Sequence, residues 1–209
     1  RLHYVLEEAP EPWMVLHSDA RRVRDFATHM AYLGVPEERL QLLGEPAIVP
    51  SLWVSPWQAP PAEIAPDHYS WLFDAYTRGV ASGDRPMLYL SRNHVRPGQR
   101  SVLNEAAVVD ALKSLGFTVV TGEESLPDVV SLFHNASYIV GAHGSLFANT
   151  IFCREDCRIL EFCSLGRPDR SFYDKNKCAR DYRFRLVYGD ADDNIMLPIS
   201  EVIAQIPAP

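Results

Sequence analysis

The sequence predicts an α/β fold, a Rossmann-like parallel sheet with helices on both faces, and three observations predict it. From residue 86 onward strand-like and helix-like segments alternate: PMLYLSR, NEAAVVDALKSLG, FTVVTG, LPDVVSLFHNA, SYIVGA, SLFANTIFC and CRILEFC. The strand-like pieces are continuous apolar runs, the pattern of strands covered on both faces. Their spacing leaves room for right-handed crossovers, and so for parallel pairing.

The earlier elements follow the same logic less completely. PWMVLHS (12–18) reads as a short buried strand, and Ser18 or Asp19 can cap the helix ARRVRDFATHMAYLG (20–34). In that helix Val23, Phe26, Ala27, Met30 and Leu33 recur at helical spacing, and Gly34 is a natural stop. RLQLLG (39–44) and AIVPSLWVS (47–55) read as strands, PWQAPPAEIAP (56–66) as a linker or surface crossover, and Tyr69 to Arg78 as a helix. Residues 1–66 hold too few units for a complete domain. The expected organisation is a partial α/β segment over 1–66 and a Rossmann-like domain over 67–209, whose regular alternation begins near residue 80.

Bulk properties narrow the function. The chain has 209 residues, 47% apolar and 22% charged, which is the profile of a folded globular protein. A net charge of −7 argues against nucleic acid as a partner, so any anion site must be local. No apolar run approaches the roughly 18 residues that a membrane span needs, and RLHYVLEEAPEP lacks the pattern of a signal peptide. Cys153, Cys157, Cys163 and Cys178 lack the paired spacing of a zinc site. They read as free, partly buried thiols in a reducing cytoplasm, ahead of a disulfide or a metal. Asn135-Ala136-Ser137 fits a glycosylation acceptor, a pattern too short to weigh against that compartment.

In an open parallel sheet, ligands collect outside the carboxyl ends of the strands. Three such ends stand out. SRNHVRPGQR crowds Arg92, Arg96 and Arg100, with His94, into a short loop that Gly98 can fold back. Guanidinium groups bind phosphate oxygens bidentately and keep their charge when desolvated, so the loop suits a diphosphate; an exposed basic loop is the alternative. GAHGSLFAN places Gly141 and Gly144 around His143 where a strand gives way to a helix. That helix is expected to aim the amides of Ser145, Leu146 and Phe147 at an anion, with His143 donating to the same anion or to a leaving group. RILEFC buries Glu161 in an apolar strand, where it needs a partner: a ligand's ribose hydroxyls or an arginine of the same domain. GDADDN (189–194) resembles a metal-holding aspartate pair or a calcium loop but lacks the distal Glu and the glycine of an EF-hand. It reads as an acidic turn, and no metal site is expected.

Taken together, YLSRNHVRPGQRSVLNE, LKSLGFTVV, YIVGAHGSLFANTIF and RILEF resemble the core of glycosyltransferase family 61. The family pattern is met in order by Arg92, Arg100, Asn104, Glu105, Gly141, His143, Gly144, Asn149 and Glu161, best over residues 85–165. Ser145 stands where the family commonly has Ala. AYLGVPEERLQLL resembles, more loosely, the end of the family's first domain. The resemblance implies a GT-B architecture whose C-terminal domain holds a nucleotide sugar, UDP-linked by expectation. It also implies metal-independent inversion at the anomeric carbon, with no cofactor beyond the donor. Carried over, Arg92 and Arg100 would bind diphosphate, His143 to Ser145 with Gly141 and Asn149 would line the donor pocket, and Glu161 would contact the ribose. Asn104 and Glu105 would cap and orient the helix after the arginine loop. His17 and Asp19, in the acceptor-side segment, are candidates for the base that takes the acceptor hydroxyl's proton, although Asp19 also reads as a helix cap. The acceptor would be a glycan or lipid-linked sugar. The high Ala, Pro and Arg content fits a GC-rich bacterium, in which such precursors lie at the inner face of the membrane. Two rivals are a pyruvyl transferase of polysaccharide synthesis and a non-catalytic remnant that binds a nucleotide sugar.

Overall fold

The computed structural model describes residues 14–45, 66–93, 100–175 and 181–206. The chain divides into two compact units, Arg1–Gly79 and Val80–Pro209. Among the described residues no helix is long and apolar enough to cross a membrane.

In the first unit β1 (Met14–His17) pairs in parallel with β2 (Leu40–Leu43), Met14 opposite Leu40. Helix α1 lies between them in sequence but is shorter than the sequence suggests, running only from Phe26 to Tyr32. Residues Ser18–Arg22 form a 3-10 turn instead, and Val23 is exposed. Neither Ser18 nor Asp19 caps the helix. Asp25 occupies the cap position at φ 56° with no side-chain bond. Of the apolar positions expected on one face, Phe26, Met30 and Leu33 are half-buried but Val23 and Ala27 are exposed, and a capping residue works only next to the first helical turn. Helix α2 (Pro66–Thr77) packs on α1 within this unit: Tyr76 stacks on Tyr32 at 5.0 Å and its hydroxyl lies 2.7 Å from Nδ1 of His29. The strand expected at 47–55 lies outside the described residues.

The second unit, among the described residues, is a five-stranded, wholly parallel sheet in the order β4-β3-β5-β6-β7. The strands are β3 (Met87–Leu90), β4 (Phe117–Val120), β5 (Tyr138–Ala142), β6 (Arg158–Ser164) and β7 (Asp181–Val187). The helices between them are α3 (Glu105–Ser114), α4 (Leu126–Asn135) and α5 (Ser171–Lys175), with α6 (Ile199–Ala204) following the last strand. Helix α4 shows how local sequence sets an element. Ser125 accepts the Asp128 amide at 3.3 Å, Pro127 suits the first turn, and Leu126, Val129, Val130 and Phe133 bury one face.

All five residues of β5 are buried, as are the last six of β6. Tyr138, Val140, Ala142, Leu160 and Phe162 join Val108 and Leu112 of α3 and Val202 of α6 in one core. By strand alternation Ile139, Gly141, Ile159 and Glu161 face the opposite side of the sheet. Right-handed crossovers leaving β3 and β4 in opposite directions put α3 and α4 on opposite faces. The segment SLFANTIF, expected as an α-helix, is a 3-10 helix, Ser145–Phe152.

Gly141 sits opposite Leu90 on one side and Glu161 on the other. A Cβ there would lie 2.9 Å from both the Cβ and the carbonyl oxygen of Leu90. Because one of those atoms is backbone, no rotamer change relieves the clash. Gly141→Ala is expected to destabilise the second unit by about 1–3 kcal/mol, read as a lowered urea midpoint with an unchanged m-value.

Candidate functional site

Strand β3 is flanked by β4 and β5, so the chain leaves β3 and β5 in opposite directions and a crevice opens between their carboxyl ends. The arginines and the glycine turn meet at this crevice. Arg92 follows β3; its backbone amide donates to Oε1 of Glu105 at 2.9 Å, and that oxygen also accepts the hydroxyl of buried Tyr89 at 2.8 Å. Glu105 is itself buried, so it ties the start of α3 to the end of β3. The Arg92 guanidinium lies over the bare Cα of Gly144, in the space a Cβ would fill. Gly144 is extended, at φ 175°, so its lack of a side chain serves this close approach rather than a left-handed turn.

Arg100 arrives at the same place. Its carbonyl accepts Nε of Arg92 at 3.0 Å. Its Nη1 is buried and has no hydrogen-bond partner among the described residues. Burial lowers the Arg92 pKa, and Arg100 lowers it further by charge repulsion, against the pull of Glu105. Two guanidinium groups near enough to repel, one of them with a buried donor unmet among the described residues, form an arrangement that oxygens of an anion could satisfy.

His143, on the other side of Gly144, is buried and fixed by two carboxylates. Nδ1 lies 2.6 Å from Oε1 of Glu161 and Nε2 lies 3.2 Å from Oδ2 of Asp169. Phe172 covers the ring at 5.2 Å. Glu161 is fully buried, and its second oxygen accepts the Tyr182 hydroxyl at 2.6 Å. Burial and the adjacent carboxylate push the Tyr182 pKa far up, which keeps its proton on the phenol to donate. Both oxygens of Glu161 are therefore engaged inside the protein. The expected contact with a ribose is not open to it; its partners are a histidine and a tyrosine rather than an arginine, and its work is to hold His143.

Asp169 is more exposed. Burial pushes its carboxyl up, but the Ser171 amide (2.9 Å) and hydroxyl, then His143 and Arg100, outweigh this, and the net shift is downward. A depressed carboxyl stabilises the fold above its unfolded pKa, about 3.9, and that contribution is lost as pH falls through the lower folded value. A carboxyl-carbon NMR titration is expected to place the Asp169 midpoint below about 3.9; a midpoint at or above it contradicts the arrangement.

A cavity of about 320 Å³ opens at Arg92 and Gly144, lined also by Leu90, Thr121, Gly122 and Leu146 among others; Arg100, His143 and Asp169 are not in its lining. Ser145 is exposed on its rim. Thr121 and Gly122 are fixed by Glu124, which accepts both of their amides at 2.8 Å. The expected trio of outward amides is corrected: Phe147 N–H donates to the Gly144 carbonyl at 3.0 Å, because a 3-10 helix closes its bonds one residue sooner than an α-helix. A larger cavity of about 820 Å³ in the first unit is lined by Phe26, Met30, Leu40 and Leu42, but it lacks convergent polar groups of this kind.

The remaining sequence candidates are dispersed. Asn149 is half-buried on the 3-10 helix. His94, Arg96 and Gly98 lie outside the described residues. His17 ends β1 in the first unit, its side chain outside the description, and exposed Asp19 pairs with Arg22 at 3.1 Å. Asn104 does not cap α3 with its side chain; it clasps residue 197, donating to that carbonyl at 2.9 Å and accepting that amide at 3.0 Å. Asn135 is buried and donates to the carbonyls of Ala81 and Ser131, so it is not presented as a glycosylation acceptor. Cys153, Cys157 and Cys163 are buried and form no disulfide among the described residues; Cys178 lies outside them. Among the described residues no group of three or more His, Cys, Asp or Glu side chains is placed to hold a metal ion.

Sequence reasoning missed Tyr182 and Asp169 and undervalued Glu105. The signal available was the buried charge of Glu161: its partners had to come from the adjacent strands, and Tyr182 lies one strand over, on β7.

A family model described as Glycosyltransferase 61 matches residues 7–160, a span that contains Arg92, Arg100, His143, Gly144 and Asn149 and ends one residue before Glu161. No curated protein matches the chain.

Proposed function

We propose, from the premise that this chain belongs to glycosyltransferase family 61 and is a transferase, that the diphosphate of a nucleotide sugar binds between Arg92, Arg100 and the turn from His143 to Ser145. The observation that carries this reading is the Arg92 guanidinium seated on Gly144 and bonded to the Arg100 carbonyl, with Nη1 of Arg100 buried and without a partner among the described residues. The leaving diphosphate gains negative charge as the glycosidic bond breaks, and fixed guanidinium groups meet that charge without reorganisation. On this reading the transfer is a metal-independent single displacement with inversion. His143, with both ring nitrogens facing carboxylates, is a rigid support for the turn rather than a base. The base is then left to the acceptor-side unit, with His17 and Asp19 as its candidates. A GT-B architecture, a UDP-linked donor, and a glycan or lipid-linked acceptor at the inner membrane face follow from the family resemblance and belong to the same proposal.

Calorimetry with UDP, GDP, CMP and phosphoenolpyruvate tests the donor class. A nucleoside diphosphate is expected to bind, and Arg92→Ala and Arg100→Ala are each expected to weaken it about 10- to 100-fold, the loss of a charge-assisted bond. Binding of phosphoenolpyruvate alone would favour a pyruvyl transferase. Tight nucleotide binding with no turnover of a labelled donor would favour a non-catalytic binding protein.

A further inference from the structure

The acidic turn at residues 189–194 takes no part in the reading above, yet it is bonded to the segment that carries Arg100. We propose that Asn194 is a positioning residue for Arg100, and through it for the donor's diphosphate; this rests on Arg100 holding that group. Arg100 sits at φ 38°, in the left-handed region that a side-chain-bearing residue adopts only where its surroundings over-determine it. Those surroundings are specific. The Arg100 carbonyl accepts Nε of Arg92, and the amide of the next residue, Ser101, donates to Oδ1 of Asn194 at 2.7 Å. The Ile195 amide returns a bond to the Ser101 carbonyl at 3.0 Å, and Leu103 N–H donates to the Ile195 carbonyl at 2.8 Å. The peptide unit that follows Arg100 is thus pinned at both of its polar groups, its carbonyl by Arg92 and its amide by the turn.

Asn194 is itself immobilised by Asp190. One oxygen of Asp190 accepts the amides of Asp192 and Asn194, and the other accepts Nδ2 of Asn194, each at 2.9 Å. With Nδ2 committed to a carboxylate, Oδ1 is the end that must face Ser101, which fixes the amide's orientation. The turn is anchored on the sheet as well, since Ser164 at the end of β6 donates to Oδ1 of Asp193 at 2.8 Å. The same strand carries Glu161, which holds His143. Arg100 and His143 are therefore referenced to one rigid strand, and the run of aspartates is the bracket that carries the reference across.

The test is a double-mutant cycle on UDP affinity, measured by calorimetry on the whole chain. Asn194→Ala is expected to weaken UDP about three- to tenfold, the value of one net hydrogen bond, and to cause no further weakening in an Arg100→Ala background. Asp190→Ala, at an exposed position, is expected to act in the same direction and with the same non-additivity, and it carries the test if Asn194→Ala folds poorly. Single effects that multiply in the double variants would mean a general structural role and overturn the proposal, as would an unchanged affinity in Asn194→Ala and Asp190→Ala while Arg100→Ala weakens binding. An Arg100→Ala protein that binds UDP as the wild type does would overturn the donor reading first and this proposal with it.

Discussion

Gly144→Ala is expected to weaken nucleoside diphosphate binding about 10- to 100-fold while leaving thermal stability nearly unchanged. The residue is extended and tolerates an alanine backbone. What the methyl group meets is the far end of a side chain, the Arg92 guanidinium, and not a neighbouring strand. Arg92 can swing away at little energetic cost, but the swing removes its charge from beside Arg100 and breaks the geometry that would grip two phosphate oxygens. Calorimetry with UDP, run beside a melting curve, separates this from misfolding. Wild-type affinity in the alanine variant would show that the seat of Arg92 on Gly144 is unrelated to the ligand. Gly141→Ala makes the contrast: there the obstacle is the Leu90 backbone, and stability rather than affinity absorbs the change.

Replacing Glu161 with Ala is expected to lower the stability of the second unit by about 3 kcal/mol, a fall of roughly 6–12 °C in its melting midpoint. Two buried donors lose their acceptor at once, Nδ1 of His143 and the Tyr182 hydroxyl, and a cavity replaces the carboxylate. A buried donor without a partner costs about 1–3 kcal/mol, so the two losses alone reach this magnitude. Glu161→Gln, which keeps the shape and one acceptor oxygen, is expected to cost less than half as much. Differential scanning calorimetry of both variants checks the order. An alanine variant within about 0.5 kcal/mol of wild type, the range of an inert surface change, would show that His143 is held by other means.

How far the sequence reached can be judged element by element. The strands from PMLYLSR to CRILEFC and helices α3 and α4 were legible because each carries its own period: continuous apolar runs for covered strands, apolar residues three and four apart for the helices. The first helix was misjudged in length because caps and turns are settled by a few backbone bonds, which side-chain periodicity does not report. SLFANTIF was read as α-helix for the same reason; 3-10 and α-helices share their residue preferences and differ in where one hydrogen bond closes. The arginine loop and the glycine turn were marked in the sequence too, and the structure brings Arg92, Arg100 and Gly144 to one place at the strand ends.

By itself, then, the sequence determined the layered α/β class, the family, and the residue types available at the strand ends, since each of these depends on local pattern. Only the tertiary structure decided who meets whom. It gave Glu161 to His143 and Tyr182, laid Arg92 across Gly144, and brought the acidic turn to Ser101 from 93 residues along the chain. The physical reason is that partners of buried polar groups are chosen by strand order and register. Both are collective properties of the sheet, and no window of sequence encodes them alone.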